Sequence, residues 1–386
     1  MMASKIVNNY IPEFLTLISG RSKPSMVSVN ITSECNQKCI YCEIGQGVRT
    51  SAKGSISTGD MKWILDQMEM TRIPKLSING GEPFLFNDII DVVEYAWKKN
   101  IRCTITTNGM TLYQLPDKEL KIIKDSGTEI NISVDSFNNE INAITRGTKQ
   151  ALPNALKSIK RLVDNKIPVT VLTAISRFNY LDLYSSVAEA YELGVSQMLF
   201  QPIIYSSNYP DRQVLIGKSN LNINPEQIDE LKRELKKILK FEKKHKIDTN
   251  IYRILPWIEY YIKSASSASE GLFFQKILKK FYCREVDAII EISYDGSILP
   301  CGLAPANGNI HNGSNLMKLW SNSTAKLRNE LKNDRYPGFC NACCHHFSRN
   351  MFASIMKYPV ENGNALAMML PAVFSRAMYK ILKNVF

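Results

Sequence analysis

The sequence predicts an α/β protein, a partial (β/α)6 barrel followed by a small α+β domain. Two observations predict the barrel. Apolar strand-like runs alternate with helix-like segments six times before residue 203, and strict alternation means parallel strands joined by crossover helices. The residues able to carry chemistry also follow or end those strands, as they do at the carboxyl face of βα barrels. The small domain rests on a hairpin signal, Tyr294-Asp295-Gly296-Ser297, behind the alternating run Ala288 to Ser293.

Taken in order, the strand-like runs are Met26 to Ile31, Lys75 to Asn79, Arg102 to Thr107, Glu129 to Asp135, Val169 to Ile175 and Gln197 to Pro202. Between them come Gly59 to Met70 with Ser57 or Thr58 as cap, Asp88 to Lys99, Pro116 to Asp125, Pro153 to Asn165, and Leu181 to Leu193 behind Asn179. Pro153 just inside a helix, and Gly127 or Gly194 just beyond one, are the usual start and stop chemistry. Tyr205 to Asn222 is rich in Ser, Asn and Pro and reads as a long loop, either a linker or a lid. In Leu231 to Lys246 the residues Leu231, Leu235, Ile238 and Leu239 fall at helical spacing, so the lysines form the wet side of one helix. From Ile251 to Phe281, Trp257, Tyr260 and Tyr261 read as packing residues, with Ser264 to Ser269 interrupting the segment.

The chain has 386 residues, 45% hydrophobic and 22% charged, which suits a globular protein with room for two domains. No apolar run reaches the roughly 18 residues of a spanning helix, and Met1 to Gly20 is amphipathic where a secretory signal would be continuously apolar. Nine cysteines without such a signal point to a reducing compartment, the cytoplasm. A net charge of +12 raises the question of anionic partners. Much of it belongs to the one lysine-rich helix, where no aromatic residues are interleaved for base stacking, so no nucleic acid is expected.

The densest chemistry is the loop Cys35-Asn36-Gln37-Lys38-Cys39-Ile40-Tyr41-Cys42, with three cysteines in eight residues and no histidine near them. An odd number of thiols at this spacing cannot close as a local disulfide framework and favours soft metals. Two readings remain: an iron–sulfur cluster with one iron free of protein ligands, and a zinc knuckle closed by a distant fourth ligand.

This Cys-x3-Cys-x2-Cys pattern, with Tyr41 before the last cysteine, resembles the signature of the radical S-adenosylmethionine (radical SAM) enzymes. Further matches follow in the expected order: Asn79-Gly80-Gly81-Glu82-Pro83, Thr106-Thr107-Asn108-Gly109, Ser133-Val134-Asp135, and Arg146-Gly147. The resemblance implies a [4Fe-4S] cluster on Cys35, Cys39 and Cys42. It also implies S-adenosylmethionine contacts from Tyr41, Gly80, Gly81, Glu82, Thr107, Asn108, Ser133 and Arg146, with Arg146 near the cofactor carboxylate. Glycines at 80 and 81 would let the main chain approach a ligand closely. Cys103, inside an alternating strand, reads as a packed apolar residue.

A second thiol set opens at Cys283 and continues through Gly296-x4-Cys301 to Cys340-x2-Cys343, with Cys344 alongside. Alone, it fits a zinc ribbon as well as a cluster. Beside a radical SAM core it resembles the auxiliary-cluster extensions called SPASM and twitch. With no cysteine beyond Cys344, the twitch form is implied: one auxiliary [4Fe-4S] cluster on Cys283, Cys301, Cys340 and Cys343, with Cys344 able to replace Cys343 and His345 or His346 close by. The expected division is an N-terminal segment 1–25, a radical SAM core 26–225, a helical linker 226–282, the auxiliary domain 283–349 and a helical tail 350–386. The tail reads as a packed helix, a partner contact or a peripheral membrane face. The resemblance further implies a reductant such as flavodoxin or ferredoxin. The substrate would be a peptide or protein, or a small molecule such as a sugar; a non-catalytic metal-binding protein is the contrasting class.

Overall fold

The structure is a computed structural model that describes residues 24–47, 54–203, 221–255, 258, 262, 283, 285–333, 335–337 and 340. The strand-like runs form β1 (Met26–Asn30), β2 (Lys75–Asn79), β3 (Arg102–Thr107), β4 (Glu129–Ser133), β5 (Val169–Ile175) and β6 (Gln197–Pro202). Three short strands join them: β7 (Asp248–Thr249), β8 (Ile289–Ile292) and β9 (Ile298–Leu299). They make one sheet in the order β7-β6-β5-β4-β3-β2-β1-β8-β9. The order has two ends, so the sheet is open. Pairing from β1 to β7 is parallel throughout. β8 also lies parallel to β1, and β9 returns antiparallel through the predicted turn, where Gly296 takes a φ of 78°.

The helices that cross between strands are α1 (Thr58–Thr71), α2 (Ile89–Lys98), α3 (Asp117–Asp125), α4 (Asn139–Arg146), α5 (Ala151–Asp164), α6 (Leu183–Glu192) and α7 (Ile228–Glu242), with α8 (Leu316–Lys332) after the hairpin. Ser57 caps α1 as expected, its side chain accepting the Asp60 N–H. The N-cap of α6 is Asp182 rather than Asn179; Asn179 is instead fully buried and donates to the carbonyls of Asp135 and Ala174. α4 was not expected. Leu231, Leu235 and Ile238 of α7 are buried, which leaves its lysines outward.

The six main strands alternate buried positions with half-buried or exposed ones, β6 only as far as Phe200. The buried set, such as Val27, Val29, Ile78, Ile105 and Ile132, forms one core with Met61, Val92, Ile123, Ile159 and Val187 from the helices. The opposite face, which in a closed barrel would be its lining, carries Ser28, Ser77, Asn79, Thr106, Asn131 and Ser133, all half-buried. Asn79 donates to the hydroxyls of Ser28 and Ser77, and Asn131 reaches Thr106. Leu172 and Leu199 share this face beside Ser133, so it is mixed, whereas the helix-covered face is apolar. Cys103 belongs to the apolar core, as read from the sequence.

Candidate functional site

The cysteine loop leaves the carboxyl end of β1 and is gripped from two sides. On one side the turn after β2 donates the Gly81 N–H to the Thr32 carbonyl and the Glu82 N–H to the Glu34 carbonyl, both at 2.7 Å. This approach is possible only without side chains: a Cβ on Gly80 would stand 2.5 Å from the Thr32 oxygen, and one on Gly81 2.0 Å from the Glu34 oxygen. The two glycines thus serve the approach of main chain to main chain, and the Gly81 N–H is already engaged by the loop. On the other side, α4 ends against the loop. The Ile40 N–H donates to the Thr145 carbonyl at 3.0 Å, and a Cβ on Gly147 (φ 77°) would lie 2.4 Å from the Lys38 oxygen.

Glu82 braces the first grip. Its carboxylate, buried, accepts from the Phe84 N–H, the Thr107 hydroxyl and the Asn108 N–H. Burial pushes its pKa up to about 7, against the pull of those donors. The Asn108 amide then reaches the loop, 2.7 Å from Asn36 Oδ1 and 3.8 Å from Cys35 Sγ. Ser133 ends β4 on the polar face of the sheet, half-buried.

Asp135 is the hub of the second grip. It is fully buried, accepting at Oδ1 from Arg146 at 2.9 Å and the Ala174 N–H at 3.0 Å, and at Oδ2 from the Tyr41 hydroxyl at 2.8 Å. Its own N–H and that of Ser136 are taken by Asn142 Oδ1. Arg146 lies over the Tyr41 ring at 5.6 Å. Burial opposes its charge, but Asp135 outweighs this and holds the guanidinium protonated. Tyr41 is held well above the usual phenol range, by burial first and then by Asp135. The sequence marked Asp135 only as the end of a Ser-Val-Asp string, and Gln37 and Asn142 carried no signal.

The loop thiols are electrostatic neighbours of one another: Cys35 and Cys42 both act on Cys39. Burial raises the Cys35 thiol, and pushes Cys39 up to about 12 despite Arg146. Bound metal must therefore displace protons. The sulfurs are provided with donors, the Gln37 N–H 3.4 Å from Cys35 and the Gly45 N–H 3.3 Å from Cys42. Among the described residues no three His, Cys, Asp or Glu side chains are placed to hold a single metal ion. Three soft thiolates on one loop are the donor set of an iron–sulfur cluster with one iron left open.

Cys283, Cys301 and Cys340 are also brought together: burial and then its neighbours Cys283 and Cys301 push the Cys340 thiol up. Cys301 rises to about 11 by burial, against N–H donors from Leu303 and Ala304. Cys343, Cys344, His345, His346 and the tail 350–386 lie outside the described residues, as does nearly all of the expected lid 205–222. No helix among the described residues is long and apolar enough to cross a membrane.

The model of the radical SAM superfamily matches residues 29–184, from within β1 to the start of α6, and so spans the loop and both of its grips. Residues 29–184 are a radical SAM domain. Among relatives, the antilisterial bacteriocin subtilosin biosynthesis protein AlbA of Bacillus subtilis is 26% identical over 333 residues, 83% of this chain and 67% of AlbA. The AdoMet-dependent heme synthase of Methanosarcina barkeri is 25% identical over 178 residues, 46% of this chain and 50% of that protein. The latter alignment thus spans about half of each protein. Among solved structures, SuiB of Streptococcus suis superposes with a TM-score of 0.60 at 16% identity, covering 87% of this chain and 74% of SuiB. At that identity the likeness is one of fold.

Proposed function

We propose that this chain is a radical SAM enzyme that modifies a peptide. The observation that carries the reading is the doubly gripped loop, whose three thiols follow the carboxyl end of a strand in a parallel sheet. The residues fit the group. Cys35, Cys39 and Cys42 would hold a [4Fe-4S] cluster, with backbone N–H donors already aimed at two of the sulfurs. When bound, the reduced cluster supplies the electron that cleaves S-adenosylmethionine, and so radical abstraction of a substrate hydrogen. Tyr41, Gly80, Gly81, Glu82, Thr107, Asn108, Ser133 and Arg146 would be the residues that contact S-adenosylmethionine. In this arrangement Glu82 and Asp135 act as braces that keep the loop in register.

A peptide is favoured by AlbA, a bacteriocin biosynthesis protein, and by SuiB, whose structure is also known with the precursor peptide SuiA. The face lined by Ser28, Ser77, Asn79, Thr106, Asn131 and Ser133 offers donors and acceptors that match amide groups. The heme synthase likeness favours a small-molecule substrate instead. Cys283, Cys301 and Cys340, with Cys343, would hold an auxiliary [4Fe-4S] cluster in a second domain, 283–349, and a flavodoxin or ferredoxin would be the reductant.

Anaerobic reconstitution tests the reading. About eight irons per chain are expected for two cubanes, with 5′-deoxyadenosine formed on reduction in the presence of S-adenosylmethionine. A short peptide encoded beside this gene should change mass when expressed with it. Tightly bound zinc with no cofactor cleavage would overturn the enzyme; cleavage without any change in such a peptide, but turnover of a tetrapyrrole, would overturn the substrate class.

A further inference from the structure

The three loop cysteines are not equivalent. Cys35 and Cys42 receive backbone N–H donors, whereas Cys39 is the buried member and meets two side chains. Arg146 Nη1 lies 3.9 Å from Cys39 Sγ. Its side chain is 8% exposed, its charge is matched by Asp135 at 0% exposure, and its Nε has no partner. The second neighbour is Gln37, 2% exposed, with Oε1 3.5 Å from Cys39 Sγ and an unpartnered Nε2. A ligating cysteine is a thiolate and accepts hydrogen bonds. A half-turn of the Gln37 amide would exchange its oxygen for the idle N–H at no steric cost and present a donor to the sulfur. Arg146 already presents one.

We propose that Arg146, anchored by Asp135, is a positioning residue that sets the reduction potential of the loop cluster through Cys39, with the Gln37 amide as its second donor. The proposal rests on the radical SAM reading and gives Arg146 a role distinct from holding the cofactor carboxylate. Reduction adds one electron, from a flavodoxin- or ferredoxin-class donor, and makes the cluster and its thiolates more negative. A buried cation beside one of those sulfurs therefore favours the reduced form. The neutralising Asp135 moderates the effect, so removing each partner should act in opposite directions. A merely structural pair would not behave so.

The test is a redox titration of the full chain, reconstituted anaerobically and followed by electron paramagnetic resonance, reading the cluster signal that changes when S-adenosylmethionine is added. Arg146→Gln should lower the reduced-to-oxidised ratio at fixed potential by about tenfold, 59 mV for one electron. Arg146→Lys should restore it to within about threefold, and Asp135→Asn should move it upward. An Arg146→Gln potential unchanged within threefold, or a downward shift in Asp135→Asn, overturns the proposal. If Arg146→Gln fails to retain its cluster, Asp135→Asn decides alone: an upward shift supports the proposal, and no shift or a downward one overturns it. A parent protein that takes up no cluster at the loop refutes the radical SAM enzyme itself, a result recognisable before any variant is titrated.

Discussion

Gly81→Ala puts a methyl group where the turn after β2 meets the cysteine loop. The added Cβ would stand 2.0 Å from the Glu34 carbonyl oxygen and 2.6 Å from its carbon, where ordinary contact begins at 3.4 Å, so the two segments must part by more than 1 Å. The bonds from Gly81 N–H to Thr32 and from Glu82 N–H to Glu34, each 2.7 Å, cannot survive that separation. Losing two backbone bonds at about 0.5–1.5 kcal/mol each, with some groups left dry and unpaired, gives a destabilisation of about 2–4 kcal/mol. Gly127→Ala is the control. It also adds a methyl to a glycine beside a sheet strand, but at φ +65° with nothing within 4 Å, so it bears only the left-handed backbone cost of about 1–2 kcal/mol. Urea unfolding of the metal-free chain, with iron counted after anaerobic reconstitution, separates the two. Gly81→Ala should lose the larger amount together with the loop iron, and Gly127→Ala should keep its iron. A Gly81→Ala protein as stable as the parent within about 0.5 kcal/mol, and fully loaded, would refute the view that close approach seats the loop.

Three further outcomes follow from buried polar groups. Glu82 holds its proton up to about pH 7 when folded, against 4.5 ordinarily. The folded state thus binds more protons, and stability should fall by about 3 kcal/mol as pH rises from about 4.5 to about 7, a slope that urea titrations of Glu82→Gln should flatten. Asn142→Ala leaves the Asp135 and Ser136 N–H groups without their acceptor, a loss of about 2–3 kcal/mol that calorimetry would register as a lower melting temperature. Trp320 is 1% exposed and donates its indole N–H to the Ile289 carbonyl at 2.9 Å. Trp320→Phe should cost about 2–3 kcal/mol in urea from the orphaned carbonyl and the smaller ring, loosening the joint between α8 and β8.

Much of this molecule was legible before its structure, because local patterns carried it. The β2, β3, β5 and β6 bounds match the strand-like runs, since Asn79-Gly80, Asn108-Gly109 and Pro202 mark the ends of three of them and β5 alternates throughout. α4 escaped because its amphipathicity is inverted. Asn142, Thr145 and Arg146 are buried while Ile144 is 48% exposed, so no apolar stripe announces it, although Asn138 and Gly147 mark its ends. That inversion arises because α4 packs on a polar loop, not on the core. The hub at Asp135 was invisible for a related reason: its partners come from three segments far apart in sequence. The pairing of β8 with β1 had no local signal either, since the hydrogen bond from Ser25 to the Ala288 carbonyl spans 263 residues.

That last pairing fixes a distance. β8 runs alongside β1 in the same direction, and β9 doubles back, so Cys283 before β8 and Cys301 after β9 lie toward the end where β1 begins, whereas Cys35 lies beyond the end where it finishes. Between them stand five residues of strand, about 16 Å at ~3.3 Å each, with Val27 and Val29 sealed on the helix side. An electron exchanged between groups held at the two ends would have about the length of this strand to cross. Substitutions that shift the cysteine loop, Gly81→Ala among them, should change that span and with it the rate of exchange.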